Sequence, residues 1–249
     1  MRDYQKYYEL MGANVHEKID FIIEELKTND YKKVVDIGCA DGKITETLAG
    51  FFSEIEFIGV DTNEQVVKSN IKNNNFINVK YIVPNPTANS ELFDDKTLVI
   101  FSSVLHEIFT FSNDTQIFNL LKETSNAKAI AIRDMRYEKK EYKYLHSLKP
   151  NQNKEKMFNE FKEVKGVVDQ EDFVEFILKS NYCQNWYEEL KENYFSVDWE
   201  LLDNFYYNSK GFDIVYYNLY LNEFLVNRNP ILKDLTHSTH VKIIYKRLS

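Results

Sequence analysis

The sequence predicts an α/β fold, a mostly parallel sheet with helices on both faces, and three observations carry that expectation. Val34-Val35-Asp36-Ile37 reads as a short buried strand running into the turn Gly38-Cys39-Ala40-Asp41-Gly42-Lys43, with a helical pattern over Ile44–Ala49. Phe57-Ile58-Gly59-Val60-Asp61 is a second apolar strand ending in a carboxylate, 25 residues beyond Asp36. Strand and helix patterns then keep alternating as far as Met135, the signature of parallel strands joined by crossover helices.

The turn after the first strand organises the rest. Gly38 and Gly42 carry no Cβ, which permits a tight turn and close approach of a ligand to the backbone. The turn opens into a helix, so unpaired N–H groups and the positive end of the helix dipole face that ligand. A dinucleotide fingerprint needs glycines at 38, 40 and 43, and Ala40 and Lys43 depart from it. The stretch instead resembles motif I of the class I S-adenosylmethionine-dependent methyltransferases, an acid followed by G-x-G-x-G. Asp36, Gly38, Ala40 and Gly42 fall on its positions, with alanine for the middle glycine. Asp61 falls where an acid accepts hydrogen bonds from ribose hydroxyls; capping the following helix is its plainer role, and the two are compatible. The resemblance covers roughly residues 16–136 well and the C-terminal strands more loosely. It implies a Rossmann-like seven-stranded sheet, S-adenosyl-L-methionine as cofactor, and cofactor contacts from Asp36, Gly38, Cys39, Ala40, Gly42, Asp61 and Thr62.

Composition bounds the class. With 249 residues and 43% hydrophobic content, one α/β domain with an inserted cap is the simplest organisation. A net charge of −8 gives no overall pull toward nucleic acid, although a local basic patch is compatible with it. Two cysteines, Cys39 and Cys183, are too few for a disulfide framework or a zinc site and suit a reducing cytosol. No apolar run approaches the roughly 20 residues of a membrane span, and Met1-Arg2-Asp3-Tyr4 is unlike a signal peptide. The expectation is a soluble, cytoplasmic protein with no membrane partner and an unspecified oligomeric state.

The elements follow in order. Tyr4, Tyr7 and Tyr8 share a helical face, which lines the cofactor pocket as in related enzymes or packs on the domain edge. Ile19, Phe21, Ile22, Ile23 and Leu26 mark a helix over His16–Lys27, and the first strand runs Lys33–Ile37. Asn63–Lys72 reads as a helix and Val79–Val83 as the third strand. Beyond it Val83-Pro84-Asn85-Pro86 places Asn85 where the family contacts adenine, or simply in a turn between prolines. Thr97–Ser103 is the fourth strand. Thr115–Glu123 reads as a helix and Ala129–Met135 as the fifth strand, with Arg133-Asp134 at its carboxyl end. The segment 137–197 interrupts the family pattern between a core at 1–136 and 198–249, and it is expected to be a helical cap over the substrate. Its helical stretches are Glu138–Lys149, Lys154–Val164, Gln170–Ser180 and Asn185–Asn193, and its many aromatics are accounted for by its own packing. Trp199–Lys210 is a helix ended by Gly211. Strands follow at Gly211–Tyr217 and His240–Lys246, an antiparallel hairpin at the sheet's edge. His237 and His240 lack a third ligand of matched spacing, so no metal site is expected.

The carboxyl end of the fourth strand is where such folds place ligands. Ser102 and Ser103 leave room there, and the segment Val104-Leu105-His106-Glu107-Ile108 is similar to the V-L-H-x-[IL] run of many small-molecule methyltransferases. His106 has the unperturbed pKa of a general base; a structural residue at the helix start is the plainer reading. Glu107 orients it or binds a cationic substrate. Asp134 shapes the acceptor site, unless it forms only a local ion pair with Arg133. An Asp/Asn-Pro-Pro-Tyr run is lacking, which argues against adenine-N6 or cytosine-N4 transfer, and no cysteine stands where C5-cytosine chemistry needs one. The resemblance therefore implies methyl transfer to O or N of a small molecule. An RNA-modifying enzyme using Lys139, Lys140, Lys143, Lys149, Lys154 and Lys156, and a non-catalytic binding subunit, are the alternatives.

Overall fold

The computed structural model describes residues 13–84, 89–144, 148–181 and 186–247; the tyrosines at 4, 7 and 8 lie outside them, as do Asn85 and Cys183. Its core is one seven-stranded sheet in the order β3-β2-β1-β4-β5-β7-β6. The strands are β1 Lys33–Ile37, β2 Glu56–Val60, β3 Val79–Ile82, β4 Thr97–Ser102, β5 Ala129–Lys139, β6 Asp213–Tyr220 and β7 Thr236–Lys246. β1 pairs in parallel with β2 and β4, while β7 lies antiparallel between β5 and β6. Strands buried on both faces need apolar residues throughout, and Val34, Val35, Leu98, Val99, Ile100 and Phe101 have no exposed surface.

Helices cover both faces. α1 (Ala13–Thr28) and α2 (Lys43–Phe51) put Ile19, Ile22 and Leu48 against Val34 and Leu98. On the other face α4 (Leu105–Phe111) and α5 (Asp114–Thr124) set Leu105 and Leu121 against Val35 and Val99. Between β2 and β3 runs α3 (Glu64–Asn73), which the Asn63 side chain caps by accepting from the Gln65 and Val66 amides.

Four expected elements differ. The described residues of Glu138–Lys149 are not helical: β5 runs on to Lys139, because Glu138 and Lys139 find partners in Ser238 and Thr236. For the same reason Thr236–Thr239 is strand rather than turn, and its alternation leaves His237 exposed and His240 buried, so the two do not converge. Trp199–Lys210 divides into α9 (Trp199–Asp203) and a π-helical turn over Asn204–Ser209, which buries Phe205 and Tyr206 in succession. Asn185–Asn193 shortens to α8 (Trp186–Glu189).

The other helices after β5 are α6 (Glu155–Lys165) and α7 (Gln170–Lys179), the latter opened by a capping box between Asp169 and Asp172. A third apolar cluster joins Phe161, Phe173, Phe176 and Trp186 to Leu225 of α10 (Glu223–Arg228) and to Leu232 and Leu235 of α11 (Leu232–Leu235). The helical segment is thus packed onto the β6–β7 connection as well as onto Met135 of β5.

Candidate active site

The glycine turn is held from two sides. Gly38 and Gly42 adopt left-handed backbone, with φ of 71° and 74°. A Cβ added at Gly38 would stand 2.3 Å from the Val104 side chain, and one at Gly42 would stand 2.2 Å from the Tyr81 hydroxyl. Among the described residues the non-glycine positions with positive φ are Ala40 (45°) and Ser103 (57°). Both line one cavity of about 610 Å³, and strained backbone of this kind collects at functional sites.

Six of the expected cofactor residues line that cavity: Gly38, Ala40, Asp61, Thr62, Ser102 and Ser103. The Asp61 carboxylate is fixed at the rim, accepting from the Ala40 amide at 2.9 Å and the Asn63 amide at 2.8 Å. Asn63 therefore takes the capping role, and each Asp61 oxygen keeps acceptor capacity for hydroxyls. The Ser102 hydroxyl is buried with no hydrogen-bond partner, a polar atom on the wall that a polar ligand would satisfy. These features fit an adenosyl cofactor. Asp36, Cys39 and Gly42 do not line the cavity. Asp36 lies behind it, accepting from Thr45 Oγ1 at 2.6 Å, with burial raising its pKa to about 6. Burial also raises the pKa of the Cys39 thiol, leaving it an inert residue behind the turn. Gly42 closes the turn through its amide, which donates to the Cys39 carbonyl at 2.9 Å.

A second cavity of about 180 Å³ adjoins the first, and Lys18, Ser103 and Glu107 line both. It contains His106, in the first turn of α4 and 3% exposed. Asp134, fully buried on β5, lies 2.8 Å from His106 Nδ1 through one oxygen. Its other oxygen accepts from the Leu105 amide at 2.7 Å and, more weakly, from the His106 amide. Asp134 thereby caps α4, whose N-cap Val104 offers no side-chain acceptor. The alternative reading of Asp134, a local ion pair with Arg133, is not what forms, because successive strand residues face opposite ways. Arg133 instead donates to Ser103 Oγ at 2.6 Å, to the Tyr220 hydroxyl at 3.1 Å and to Glu17 at 3.0 Å, so it holds the strained Ser103.

The remaining imidazole nitrogen, Nε2, lies 3.6 Å from Glu192, and the Tyr194 ring meets His106 edge-on with centroids 5.0 Å apart. Burial alone would lower the His106 pKa, but the adjacent Asp134 carboxylate, with Glu192, more than reverses this and raises it to about 10. Asp134 is held below the usual carboxylate range: burial opposes its charge and His106 outweighs burial. Glu107 is shifted up, by burial and by repulsion from Glu192. Ligand-type atoms of His106, Glu107 and Glu192 approach within 4.8 Å of one another, close enough to share a divalent cation.

The sequence brought His106, Glu107 and Asp134 forward: His106 and Glu107 line the second cavity, while Asp134 is fully buried behind His106. The hydrogen bond that orients His106 comes from Asp134 rather than Glu107. Lys18, Glu189, Glu192 and Tyr194 also line the cavity, as do Arg133, Met135, Leu178, Leu225 and His240; the first four carry no local motif and arrive from α1 and from the segment after α7 by tertiary packing alone.

Residues 28–194 match the methyltransferase-domain family. No curated protein matches the sequence. Among solved structures the fold is similar to a SAM-dependent methyltransferase from Anabaena variabilis, at 14% identity over 95% of this chain and 86% of that one, with TM-score 0.55. A SAM-dependent methyltransferase from Archaeoglobus fulgidus gives 18% identity over 99% and 100% of the two chains, with TM-score 0.53. A magnesium protoporphyrin IX methyltransferase from Synechocystis, solved with bound SAH, gives 11% identity over 100% and 89%, with TM-score 0.53. With the family match spanning the glycine turn, Asp61 and His106, the chain belongs to the methyltransferase-domain family and is a class I, Rossmann-like S-adenosylmethionine-dependent methyltransferase.

Proposed function

We propose that the protein methylates an oxygen or nitrogen of a small-molecule acceptor seated in the cavity beside His106, with His106 as general base. The observation that carries this reading is the meeting of the two cavities at Lys18, Ser103 and Glu107, with the His106–Asp134 pair on the acceptor side. When bound, S-adenosylmethionine supplies a methyl group on a sulfonium that already carries its leaving group. Gly38, Ala40, Asp61, Thr62, Ser102 and Ser103 hold the cofactor in the larger cavity, while Asp36, Cys39 and Gly42 shape the turn from behind. Asp134 keeps Nδ1–H pointed at itself, which leaves Nε2 to take the acceptor's proton. Alignment and exclusion of water are the remaining tasks. The segment 137–197, apart from its first three residues in β5, serves as a cap over a core of 1–136 and 198–249: Glu189, Glu192 and Tyr194 from this segment wall the acceptor cavity.

RNA is the weaker substrate, because Glu107, Glu189 and Glu192 on the acceptor cavity repel phosphate. Lys149 and Lys154 line a different cavity beside Arg228, and Lys156 faces Glu160. No described helix is long and apolar enough to cross a membrane, and the buried free thiol of Cys39 suits a reducing cytoplasm.

Incubation of the protein with methyl-labelled S-adenosylmethionine and cell extract, followed by fractionation, tests the reading. Label is expected in low-molecular-weight metabolites, and in equal amount after chelation of divalent cations. Label confined to RNA or protein would overturn the acceptor class. Loss on chelation, restored by magnesium or manganese, would replace base catalysis by a metal held at His106, Glu107 and Glu192.

A further inference from the structure

A further cavity, of about 290 Å³, is lined by the segment 148–154, by α7 and by the turn joining α10 to α11. It shares no lining residue with the cofactor or acceptor cavity. The chain carries 39 acidic and 31 basic residues, yet the charged groups on this cavity are Lys149, Lys154 and Arg228, with no acidic side chain among the described residues. Leu148, Phe173, Phe176, Ile177 and Ile231 supply an apolar wall. A cleft lined by one sign of charge over low-dielectric walls concentrates counter-ions. A polar cavity of about 280 Å³ adjoins it and adds Asn153 and Asn181, and Lys154 and Arg228 line both. Lys154 Nζ donates to Ser180 Oγ at 2.9 Å, and Ser180, 1% exposed, donates on to the Ile177 carbonyl at 3.1 Å, which fixes that ammonium in the wall. The Arg228 guanidinium lies over the Phe224 ring, 3.8 Å from its centroid. That contact occupies one face and leaves the N–H edge, a fork that matches phosphate oxygens in pairs. Among the described residues no hydrogen bond or ion pair engages the Arg228 guanidinium or the Lys149 ammonium.

We propose that this cavity is a second ligand site, for a small phosphate monoester with an apolar body. A phosphate monoester carries about −1.5 to −2 charges at pH 7, which suits three cations better than a singly charged carboxylate does. Lys154 and Arg228, common to both cavities, hold the phosphate where the two meet. The apolar body lies against Ile177 and Ile231, and the side-chain amides take any remaining polar groups. The volume is at the low end of the roughly 300–1,000 Å³ of ligand sites, so the body is small. α7 gives Ile177 to this cavity and Leu178 to the acceptor cavity, and α10 gives Arg228 to the one and Leu225 to the other. The two sites therefore share helices but no wall, and the ligand here is neither the cofactor nor the acceptor.

The test is calorimetric titration with phenyl phosphate, inorganic phosphate and phenol, with and without saturating S-adenosylhomocysteine. Phenyl phosphate is expected to bind at one site under both conditions. It should bind at least about 10-fold tighter than inorganic phosphate, because burying the ring adds to the charge interaction, and phenol should not bind. Arg228→Gln is expected to weaken phenyl phosphate about 10- to 100-fold, the worth of charge-assisted hydrogen bonds, and Lys149→Gln to weaken it less. Both side chains are exposed, so the variants should fold and keep their affinity for S-adenosylhomocysteine. A wild type that does not bind phenyl phosphate, or binds it no tighter than inorganic phosphate, overturns the proposal. So does an Arg228→Gln variant that binds as wild type does. Binding abolished by S-adenosylhomocysteine would place phenyl phosphate in the cofactor cavity and overturn it too. A single-stranded RNA that binds wild type where phenyl phosphate does not, and is lost in Arg228→Gln, would replace the small ligand by nucleic acid.

Discussion

Replacing His106 with alanine is expected to slow methyl transfer by about 10²- to 10⁴-fold with little change in affinity for the cofactor product. The ring is nearly fully buried, held through Nδ1 by a carboxylate that also caps its helix, and Nε2 faces the acceptor cavity. The structure also sets the pH dependence. A base must be neutral to accept a proton, and Asp134 holds the imidazolium with a pKa of about 10. The acid limb of kcat/KM therefore lies well above the neutral value of a free histidine, and the rate should climb about tenfold per pH unit between pH 7 and 9. His106→Asn, whose amide can still donate to Asp134, separates loss of the base from loss of the fold: it should remain folded, slow and without that limb. A profile already flat across this range, or an alanine variant within a few-fold of wild type, would reassign His106 to structure. The same shift has a stability consequence. Because the folded pKa is raised, the stabilisation is complete below the unfolded value near 6.5 and is lost as pH rises toward 10.

The largest expected stability effect lies at Glu175. This α7 side chain is 1% exposed, pairs with fully buried Lys179 at 2.8 Å and with Lys165 at 2.6 Å, and accepts from the Tyr194 amide at 3.0 Å. Lys179 in turn donates to the Glu192 carbonyl, so the ion-pair cluster is tied to the two residues that face His106. Glu175→Ala would strand a buried ammonium, at a loss of about 3–5 kcal/mol, a large share of the roughly 5–15 kcal/mol typical of a whole domain. Urea unfolding should show a lowered midpoint, and the surviving folded enzyme a raised acceptor KM, since Glu192 and Tyr194 lose their anchor. Glu175→Gln, which can still accept from Tyr194, should restore part of the KM effect. An unchanged midpoint would show that the cluster is solvated. Burial alone would raise the Glu175 pKa, and the flanking lysines hold it below the usual range, so its stabilisation fades as pH falls into the acid range.

What the sequence revealed, and what it hid, divides along physical lines. β1, its glycine turn, β2 and Asp61 are local patterns whose meaning is fixed within a few residues: apolar runs, missing Cβ atoms, a carboxylate at a strand end. They fell where expected because central parallel strands have no alternative environment. The edge elements were less legible. At the start of the helical pattern expected over Glu138–Lys149, Glu138 and Lys139 are strand because β7 presents a pairing edge as far as Thr236, a non-local fact. The helix after Trp199 broke into a π turn because Phe205 and Tyr206 are both drawn into the core. The site shows the same divide. His106, just past the fourth strand, and Asp134, near the expected end of the fifth, were visible, but that Asp134 orients His106 and caps α4 depends on the register of β4 against β5. Lys18, Glu192 and Tyr194 reach the cavity from distant segments and carry no local signature.

The central claim is that S-adenosylmethionine is held between the glycine turn and Asp61. Calorimetric titration of wild type and Asp61→Ala with S-adenosylhomocysteine tests it most directly. Wild type is expected to bind, and Asp61→Ala to lose about 1–3 kcal/mol, the penalty for leaving ligand hydroxyls and the Ala40 amide without their acceptor. A wild-type protein with no affinity for the ligand, or an Asp61→Ala variant that binds it as tightly as wild type, would contradict the account.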